Sequence, residues 1–234
     1  DQGLALGTQD EKKQWSFRRL AAGRVSGVYV EPTGTVWYAQ GQSICSLQQH
    51  QSTCTLLPGN APWEAFLKDR NGNLWVLSRT TLLLRRAKSR IFENGGPDLP
   101  FGNAGPPRII EDSSGQILLS TTRGLALREG ERWQIVGARE GLAQQEVPGI
   151  VEDREGALWL GVFGGGVARW RGRGVAQGFT PSDGLPSTTI WQMERAADGG
   201  IWVGSQDGLF HGRRIGDRWV WTPRPEAGHQ PVRT

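Results

Sequence analysis

Residues 150–166 read IVEDREGALWLGVFGGG, and this stretch decides the fold because most of the chain repeats it. A short apolar run, Ile150-Val151, precedes a polar turn, and a second apolar run follows Gly156. Two runs too short for helices, separated by turn residues, predict a β-hairpin. Gly156 is expected to take the positive φ that closes the turn. Trp159 has a large ring, and Gly161, two residues later, has no side chain. This combination suits strands that pack against neighbouring sheets.

Four other segments are imperfect copies of this hairpin. Aligned on the turn glycine and the residue three positions later, the five copies are Gly34/Trp37, Gly72/Trp75, Gly115/Leu118, Gly156/Trp159 and Gly199/Trp202. They are spaced by 38, 43, 41 and 43 residues, and each is followed by sequence suited to a third and a fourth strand. Several short strands in a repeat of about this length are the signature of a propeller blade. We therefore predict an all-β propeller built from four-stranded antiparallel blades.

The opening of the chain matches the middle of a repeat. Gly3-Leu4-Ala5-Leu6 mirrors Gly124-Leu125-Ala126-Leu127, which begins a predicted third strand. Residues 1–23 are therefore predicted to form the outer two strands of a partial blade. Full blades are predicted at residues 24–60, 61–104, 105–146, 147–188 and 189–234. We expect a single propeller segment over residues 1–234, with about five and a half blades, as a fragment of a larger ring.

Composition agrees with a turn-rich β protein and excludes several classes. The 234 residues include 34 Gly, 13 Pro and 11 Trp, and no apolar run approaches the roughly 18 residues of a membrane span. The opening residues lack the charged and apolar parts of a signal peptide. Four of the 27 basic residues are lysine, so 23 are arginine, and the net charge is +4. Because the arginines are spread along the chain, no nucleic-acid partner is predicted.

The two cysteines, Cys45 and Cys54, lie in the stretch SICSLQQHQSTCTLL. If residues 43–47 and 52–56 pair as strands about Gln49-His50, the two cysteines face each other directly. A cross-strand disulfide then fits the geometry. It would indicate an oxidising compartment such as the periplasm or the cell surface. Two buried free thiols are the alternative, and the sequence favours neither.

The later copies carry further residues at fixed places. The fourth copy reads Asp153-x-x-Gly156-x-Leu-Trp159-x-Gly161, then Gly165-Gly166-Val167, then Asp183-Gly-Leu-Pro186. The last copy reads Gly199-Gly-Ile-Trp202-Val-Gly204, then Asp207-Gly208-Leu209. This pattern resembles the two-component regulator propeller repeat. The resemblance covers nearly the whole chain, is specific in the last two copies, and is weakest in the first, where Gly41-Gln-Ser-Ile44 keeps only the spacing.

The resemblance implies a sensory role. Propellers of this family typically form the extracytoplasmic input half of membrane-bound histidine kinases, hybrid sensors or diguanylate cyclases. It implies a periplasmic position in an inner-membrane protein, with further blades of the same parent chain as neighbours and a homodimer as one form of the parent. Contact with the membrane, and the kinase or cyclase output module, would belong to segments outside these residues. This segment is therefore expected to bind and transmit rather than to catalyse.

The polar residues of the repeat are expected to be structural. Aspartate accepts hydrogen bonds from amides two residues on, which predicts turn capping by the acidic residues before each turn glycine, Asp69, Glu111-Asp112, Glu152-Asp153 and Asp198. The repeated tryptophans are expected in the core, so truncating Trp159 or Trp202 should each cost about 3–5 kcal/mol. His50, His211 and His229 lack metal-ligand spacing and are expected at the surface. No catalytic residue, metal site or cofactor is predicted.

Candidate ligand-binding residues follow from blade topology. The turn between the second and third strands and the connector between blades lie on one face, where propellers commonly bind ligands. Here that face gathers residues that vary from copy to copy: Arg79, Arg108, Arg123, Phe163, Ser187, Thr188, Gln206 and Asp207. Paired arginines favour an anionic small molecule or oligosaccharide that bears a carboxylate. Phe163 would add an apolar platform for a sugar face.

Two other functions stay open at this point. A propeller enzyme acting on glycans, such as a lyase or a glycosidase, would need a non-repeating cluster of carboxylate, histidine or tyrosine side chains at one mouth of the ring. With two tyrosines and three histidines the chain has little material for one. A pure protein-interaction scaffold is the third function.

Overall fold

The computed structural model describes residues 3–49, 51–59, 62–96, 99–101, 107–140, 142, 146–171 and 176–225. These residues form 22 β-strands and two short 3-10 turns, Ala138–Glu140 and Pro181–Asp183. No helix in this part of the chain is long and apolar enough to cross a membrane. The chain divides into two compact units, Asp1–Gly95 and Gly96–Thr234.

The first unit holds a two-stranded sheet and two four-stranded sheets, all antiparallel. The two-stranded sheet consists of β1 (Gly3–Gln9) and β2 (Trp15–Ala22). Blade 1 consists of β3 (Val25–Val30), β4 (Val36–Gln40), β5 (Ser43–Gln48) and β6 (Gln51–Leu56). Blade 2 consists of β7 (Ala65–Lys68), β8 (Leu74–Leu77), β9 (Leu82–Arg85) and β10 (Glu93–Asn94).

The second unit holds three four-stranded antiparallel sheets. Blade 3 consists of β11 (Ile109–Glu111), β12 (Ile117–Thr121), β13 (Gly124–Glu129) and β14 (Arg132–Val136). Blade 4 consists of β15 (Gly149–Glu152), β16 (Leu158–Val162), β17 (Gly166–Trp170) and β18 (Ala176–Phe179). Blade 5 consists of β19 (Ile190–Arg195), β20 (Ile201–Ser205), β21 (Gly208–Ile215) and β22 (Arg218–Pro223). The predicted fold class is confirmed: five four-stranded blades and one two-stranded partial blade.

The hairpin of blade 4 forms as its sequence predicts. Val151 pairs with Trp159 across the turn, and Gly156 has a φ of 80°. Gly161 meets the next blade closely, because a Cβ built there would lie 2.6 Å from Cγ2 of Ile190. A glycine at this position therefore lets two sheets approach at the level of the tryptophan.

Each pair of neighbouring blades within a unit encloses its own apolar core. Between blades 4 and 5, the fully buried Trp159 packs with Ile190, Met193 and Phe210, and its ring lies 4.4 Å edge-on from that of Trp219. Blade 3 has Leu118 in place of this tryptophan, and Leu118 is also fully buried in a core shared with blade 4. In the first unit, Trp37 packs at the edge of a core between blades 1 and 2.

Asp153 joins the turn of blade 4 to this core. Its Oδ1 accepts hydrogen bonds from the amides of Glu155 and Ala157, both at 2.9 Å. Its Oδ2 accepts from Trp159 Nε1 at 2.9 Å and from Arg169 Nη2 at 2.6 Å. The predicted turn-capping role is therefore confirmed, and the second oxygen adds an acceptor for a buried indole and a buried guanidinium. Asp69 and Trp75 repeat the indole contact in blade 2 at 2.9 Å.

Blade 5 departs from this pattern. Ala196 bonds to Gly200 across its turn as Asp153 does to Ala157, so the carboxylate is missing at that position. Asp198 lies two residues later, and its Oδ1 accepts a hydrogen bond from the Gly200 amide at 3.0 Å. The expectation that Trp202 is fully buried was wrong, because this ring remains partly exposed.

His211 also differs from expectation, since it is buried rather than at the surface. It pairs with Trp202 across β20 and β21, which is the register that Arg169 has with Trp159 in blade 4. Its imidazole stacks on the Trp202 indole at 4.2 Å between ring centroids. His50 and His229 lie outside the described residues.

Cys45 and Cys54 form a disulfide between β5 and β6. They face each other in the strand register, as the two-residue turn predicts. All six residues of β6 are exposed, so this strand contributes no buried side chain to the fold. The disulfide therefore supplies a covalent hold that apolar packing does not give β6.

We predict that Trp159→Ala destabilises the chain by about 3–5 kcal/mol, because it empties a fully buried site between two blades. Trp202→Ala should cost less than about 2 kcal/mol, since this ring keeps part of its surface in water. Denaturant unfolding followed by circular dichroism measures both values. Equal losses would contradict the difference in burial.

We predict that Asp153→Ala costs about 3–5 kcal/mol, because it removes the buried carboxylate from Arg169, which keeps only the exposed Glu155 as an acidic partner, and takes away the acceptor of the Trp159 N–H. Asp112→Ala is the matched control: Asp112 caps the equivalent turn by accepting from the Gln116 amide at 2.8 Å, and the position six residues later is Leu118 instead of a tryptophan. It should cost about 1 kcal/mol. Similar losses in the two variants would rule out the ion pair and the indole contact as the source of the effect.

The Asp153 contribution should also depend on pH. Burial tends to raise the pKa of Asp153, but hydrogen bonds from Trp159, Arg169 and the Ala157 amide outweigh burial and lower the pKa below its usual range. A lowered pKa in the folded state stabilises the fold above the unfolded value of about 3.9. The difference in stability between the wild type and Asp153→Ala should therefore shrink as the pH falls from about 4 through the folded-state pKa.

We predict that material exported to an oxidising compartment carries no free thiol. Its intact mass should be lower than that of the reduced chain by two hydrogen atoms, and alkylation without reductant should leave Cys45 and Cys54 unmodified. Two alkylated cysteines in periplasmic material would contradict the disulfide and the compartment that it suggests.

Candidate functional site

The turn face of the second unit is defined here by the turns between second and third strands and by the connectors that enter blades 3, 4 and 5. In a four-stranded antiparallel sheet these segments lie at the same end. Hydrogen bonds join them: the amide of Phe163 donates to Glu146 O at 2.9 Å, and the amide of Gln206 donates to Thr189 O at 3.0 Å. The Asp153 turn lies at the opposite end of its sheet.

The structure brings three of the predicted site residues together where blades 4 and 5 meet. Phe163 forms an isolated β-bridge with Thr189, and Gly166 of the same turn donates its amide to Thr188 O at 3.0 Å. The bond from Gln206 to Thr189 attaches the turn of blade 5 to the same connector. Phe163, Thr188 and Gln206 therefore lie around one connector, although up to 43 residues separate them in the chain.

Asp207 and Ser187 flank this group in different ways. Asp207 follows Gln206, and both side chains are exposed. Ser187 is buried, and its Oγ accepts the amide of Thr189 at 3.3 Å. Ser187 therefore shapes the connector, whereas Gln206 and Asp207 are open to a ligand.

The three predicted arginines have different surroundings. Arg79 belongs to the first unit, where its Nε donates to both carboxylate oxygens of Glu64 at 3.1 and 2.9 Å. Arg123 is exposed in the turn of blade 3. Burial lowers the pKa of the Arg108 guanidinium, and the negative charge of Glu194 opposes that change. Arg108 is thus partly buried near a negative charge of the second unit, whereas Arg123 is exposed in its turn.

Trp191 is a functional candidate that the sequence reasoning missed. It lies in β19, and its ring packs edge-on against that of Phe163 with 5.4 Å between centroids and a 65° angle. Both rings are partly exposed. The sequence signal was available, because Trp191 lies outside the repeated tryptophan position and so has no equivalent in the other copies.

This arrangement suits binding more than catalysis. The two rings offer an apolar surface, and Gln206, Asp207 and Thr188 offer donors and acceptors for hydroxyl groups. Within the described ranges there is no group of three His, Cys, Asp or Glu side chains that could hold a metal ion. His211 lies on β21 in the packed part of blade 5, where it contacts Trp202 and Asp198.

Comparison with protein families finds one match in the same region. The model of the two component regulator propeller family matches residues 184–207. This segment runs from the connector that contains Thr188, through Trp191 and β20, to Gln206 and Asp207. No curated protein matches the sequence.

Solved structures share the fold at low identity. The extracellular domain of BT3049, a protein of Bacteroides thetaiotaomicron assigned to the hybrid two component systems, has a TM-score of 0.69 and 22% identity over 85% of this chain and 28% of its own. The extracellular domain of BT4673 from the same organism, assigned to the one component systems, has a TM-score of 0.67 and 15% identity over 86% of this chain and 31% of its own. The chain therefore spans less than a third of either.

An enzyme is also among the similar structures. A catalytically inactive variant of virginiamycin B lyase from Staphylococcus aureus, with quinupristin, has a TM-score of 0.65 and 16% identity over 86% of this chain and 70% of its own. At these identities the likeness concerns the fold. The family resemblance read from the sequence is nevertheless confirmed at residues 184–207, which match the model of the two component regulator propeller.

Proposed function

We propose that this chain is the ligand-sensing and signal-transmitting propeller of a membrane-bound bacterial receptor, in its periplasmic part. The observation that carries the proposal is that two segments overlap in the sequence. The repeat that matches the two component regulator propellers, residues 184–207, is also the segment that supplies Thr188, Trp191 and Gln206 to the turn face. The parent protein would then carry a histidine kinase or diguanylate cyclase output module.

The disulfide supports the periplasmic position. A cross-strand bond between Cys45 and Cys54 is stable in an oxidising compartment and rare in a reducing cytosol. The likeness to extracellular domains of Bacteroides signalling proteins points the same way.

The ligand that the turn face suits best is a saccharide with an acidic group. Phe163 and Trp191 would pack against the apolar face of a sugar ring. Gln206, Asp207 and Thr188 would bond its hydroxyl groups. Arg123 would pair with a carboxylate, because a guanidinium forms bidentate bonds with that group. Arg79 belongs to the first unit, where it is paired with Glu64, and is not part of this proposed site.

A ligand at this place would act on the packing of two blades. Phe163 belongs to blade 4 and Trp191 to blade 5, and the same blades are joined at the opposite end by Arg154, which donates to the Ala197 carbonyl. A ligand that binds both rings would favour one relative arrangement of the two sheets. A bound signal could thus pass through the propeller as a shift between existing arrangements.

The test is calorimetric titration of the chain with matched neutral and uronate-containing oligosaccharides. Phe163→Ala should weaken binding of both classes by about tenfold or more, the value of roughly 1.4 kcal/mol expected for a well-placed contact. Arg123→Ala should weaken only the uronate-containing class. Arg79→Ala, a substitution in the first unit, should leave the affinity for both classes unchanged.

Arg132→Ala is the matched control, because Arg132 is an exposed arginine of blade 3 at the end remote from the turn face. It should bind like the wild type, and all variants should keep the melting temperature of the wild type. Absence of binding to every saccharide, or equal binding by Phe163→Ala, would refute the assigned ligand site.

A further inference from the structure

β6 is a sheet edge without the features that usually discourage pairing with another strand. It is the last strand of blade 1, in the order β3-β4-β5-β6. Every one of its residues is exposed. Its sequence, QSTCTL, contains no charged residue, no proline and no glycine. An edge of this kind offers unpaired backbone groups to any strand that can lie beside it.

The fourth strands of the other blades carry features that discourage such pairing. β10 has only two residues, Glu93–Asn94, and β18 contains Gly178. β14 begins with Arg132. β22 begins with Arg218 and ends with Pro223. Short length, charge, glycine and proline all weaken an edge as a template for another strand. Among the described fourth strands, β6 is the one without any of these features.

The register shows which backbone groups of β6 face outward. Cys45 and Cys54 are directly opposite, with 4.0 Å between their Cα atoms. So short a distance identifies a non-hydrogen-bonded pair. The N–H and C=O groups of Cys54 therefore point away from β5, and by alternation so do those of Ser52 and Leu56. These groups form a regular row on the open side of the blade.

Two contacts hold this row in place. The disulfide fixes the middle of the strand to β5. The hydroxyl of Tyr38, a buried residue of β4, contacts Ser52 Oγ at 3.1 Å. A strand that is already fixed loses little conformational entropy when a second strand binds to it.

We propose that β6 is a self-association edge, at which the β6 strands of two copies pair antiparallel about a two-fold axis. With the axis at Cys54, the outward groups of Ser52, Cys54 and Leu56 bond to those of the second copy. Thr53 then lies opposite the partner's Thr55. The two blade 1 sheets become one continuous sheet. This inference stands apart from the proposed function, because it involves neither the ligand nor the turn face.

The side chains of β6 favour a second copy as the occupant. A two-fold axis places each strand against itself, which is penalised when like charges meet. QSTCTL has no charge to oppose, and cross-strand threonine pairs are favourable. Because six residues on each side bury less than a standard interface of about 1,600 Å², we expect a weak dimer with a dissociation constant of roughly 0.1–1 mM.

The experiment is sedimentation equilibrium of the chain from about 10 μM to 1 mM, the range set by the expected affinity. The wild type should show a mass rising from 25.7 kDa toward twice that value. Thr53→Lys with Thr55→Lys places like charges opposite each other and should weaken dimerisation at least about tenfold. Thr53→Glu with Thr55→Glu should do the same. An equimolar mixture of the two double variants should recover the dimer, because each lysine then faces a glutamate.

Gln177→Lys with Thr222→Lys is the matched control, since it adds the same charge at exposed positions of β18 and β22. It should dimerise like the wild type, and circular dichroism should show every variant folded. A wild type that stays monomeric at 1 mM would overturn the proposal and leave the edge to a partner of another kind. Lysine variants that dimerise like the wild type, or a mixture that does not recover, would also overturn it.

Discussion

The hydrogen bond from the buried indole of Trp159 to Asp153 is the contact on which the packing of blade 4 depends. Trp159 is fully buried between two sheets, and leaving its N–H unpaired there would cost about 1–3 kcal/mol. Asp153 meets the need from a turn, six residues earlier, while its other oxygen holds that turn closed. One side chain therefore ties a local hairpin to a core that forms only when the next blade is present.

The same contact explains why an arginine can lie in that core. Arg169 is 1% exposed, and an unpaired guanidinium in such a place would be strongly unfavourable. Asp153 and Glu155 share its charge at 2.6 Å each, and its guanidinium lies over the rings of Trp159 and Trp219. Hydrogen bonds from the turn amides to the other carboxylate oxygen help to offset the cost of burying this ion pair.

Because this framework lies at one end of the sheets, the other end is free to vary. Asp153 bonds to the core from the opposite end, and the described turns of blades 3, 4 and 5 present different residues on the turn face, Arg123, Phe163 and Gln206. Phe163 and Trp191 meet at that end across two blades. Blade 5 departs from the framework itself: with Ala196 at the acid position, His211 takes the place of Arg169 and stacks on a partly exposed Trp202.

The sequence by itself determined the all-β propeller fold and its four-stranded antiparallel blades, because glycine turns and short apolar runs are local signals repeated five times. It also determined the facing positions of Cys45 and Cys54, since a two-residue turn sets the register of its strands. Leu118 occupies the tryptophan position of the third copy, three residues after Gly115. The repeat therefore locates it in a strand although its side chain differs from the tryptophan of the other copies.

Only the tertiary structure decided the partners of individual side chains. Three contacts depend on groups that lie one strand or one blade away. They are the ion pair of Arg79 with Glu64, the burial of His211 and the ring contact of Phe163 with Trp191. Local periodicity specifies which face a side chain is on, but the neighbouring segment determines what it touches there. For the same reason the candidate site could be predicted as an end of the sheets, whereas its aromatic pair and the balance of its charges could not.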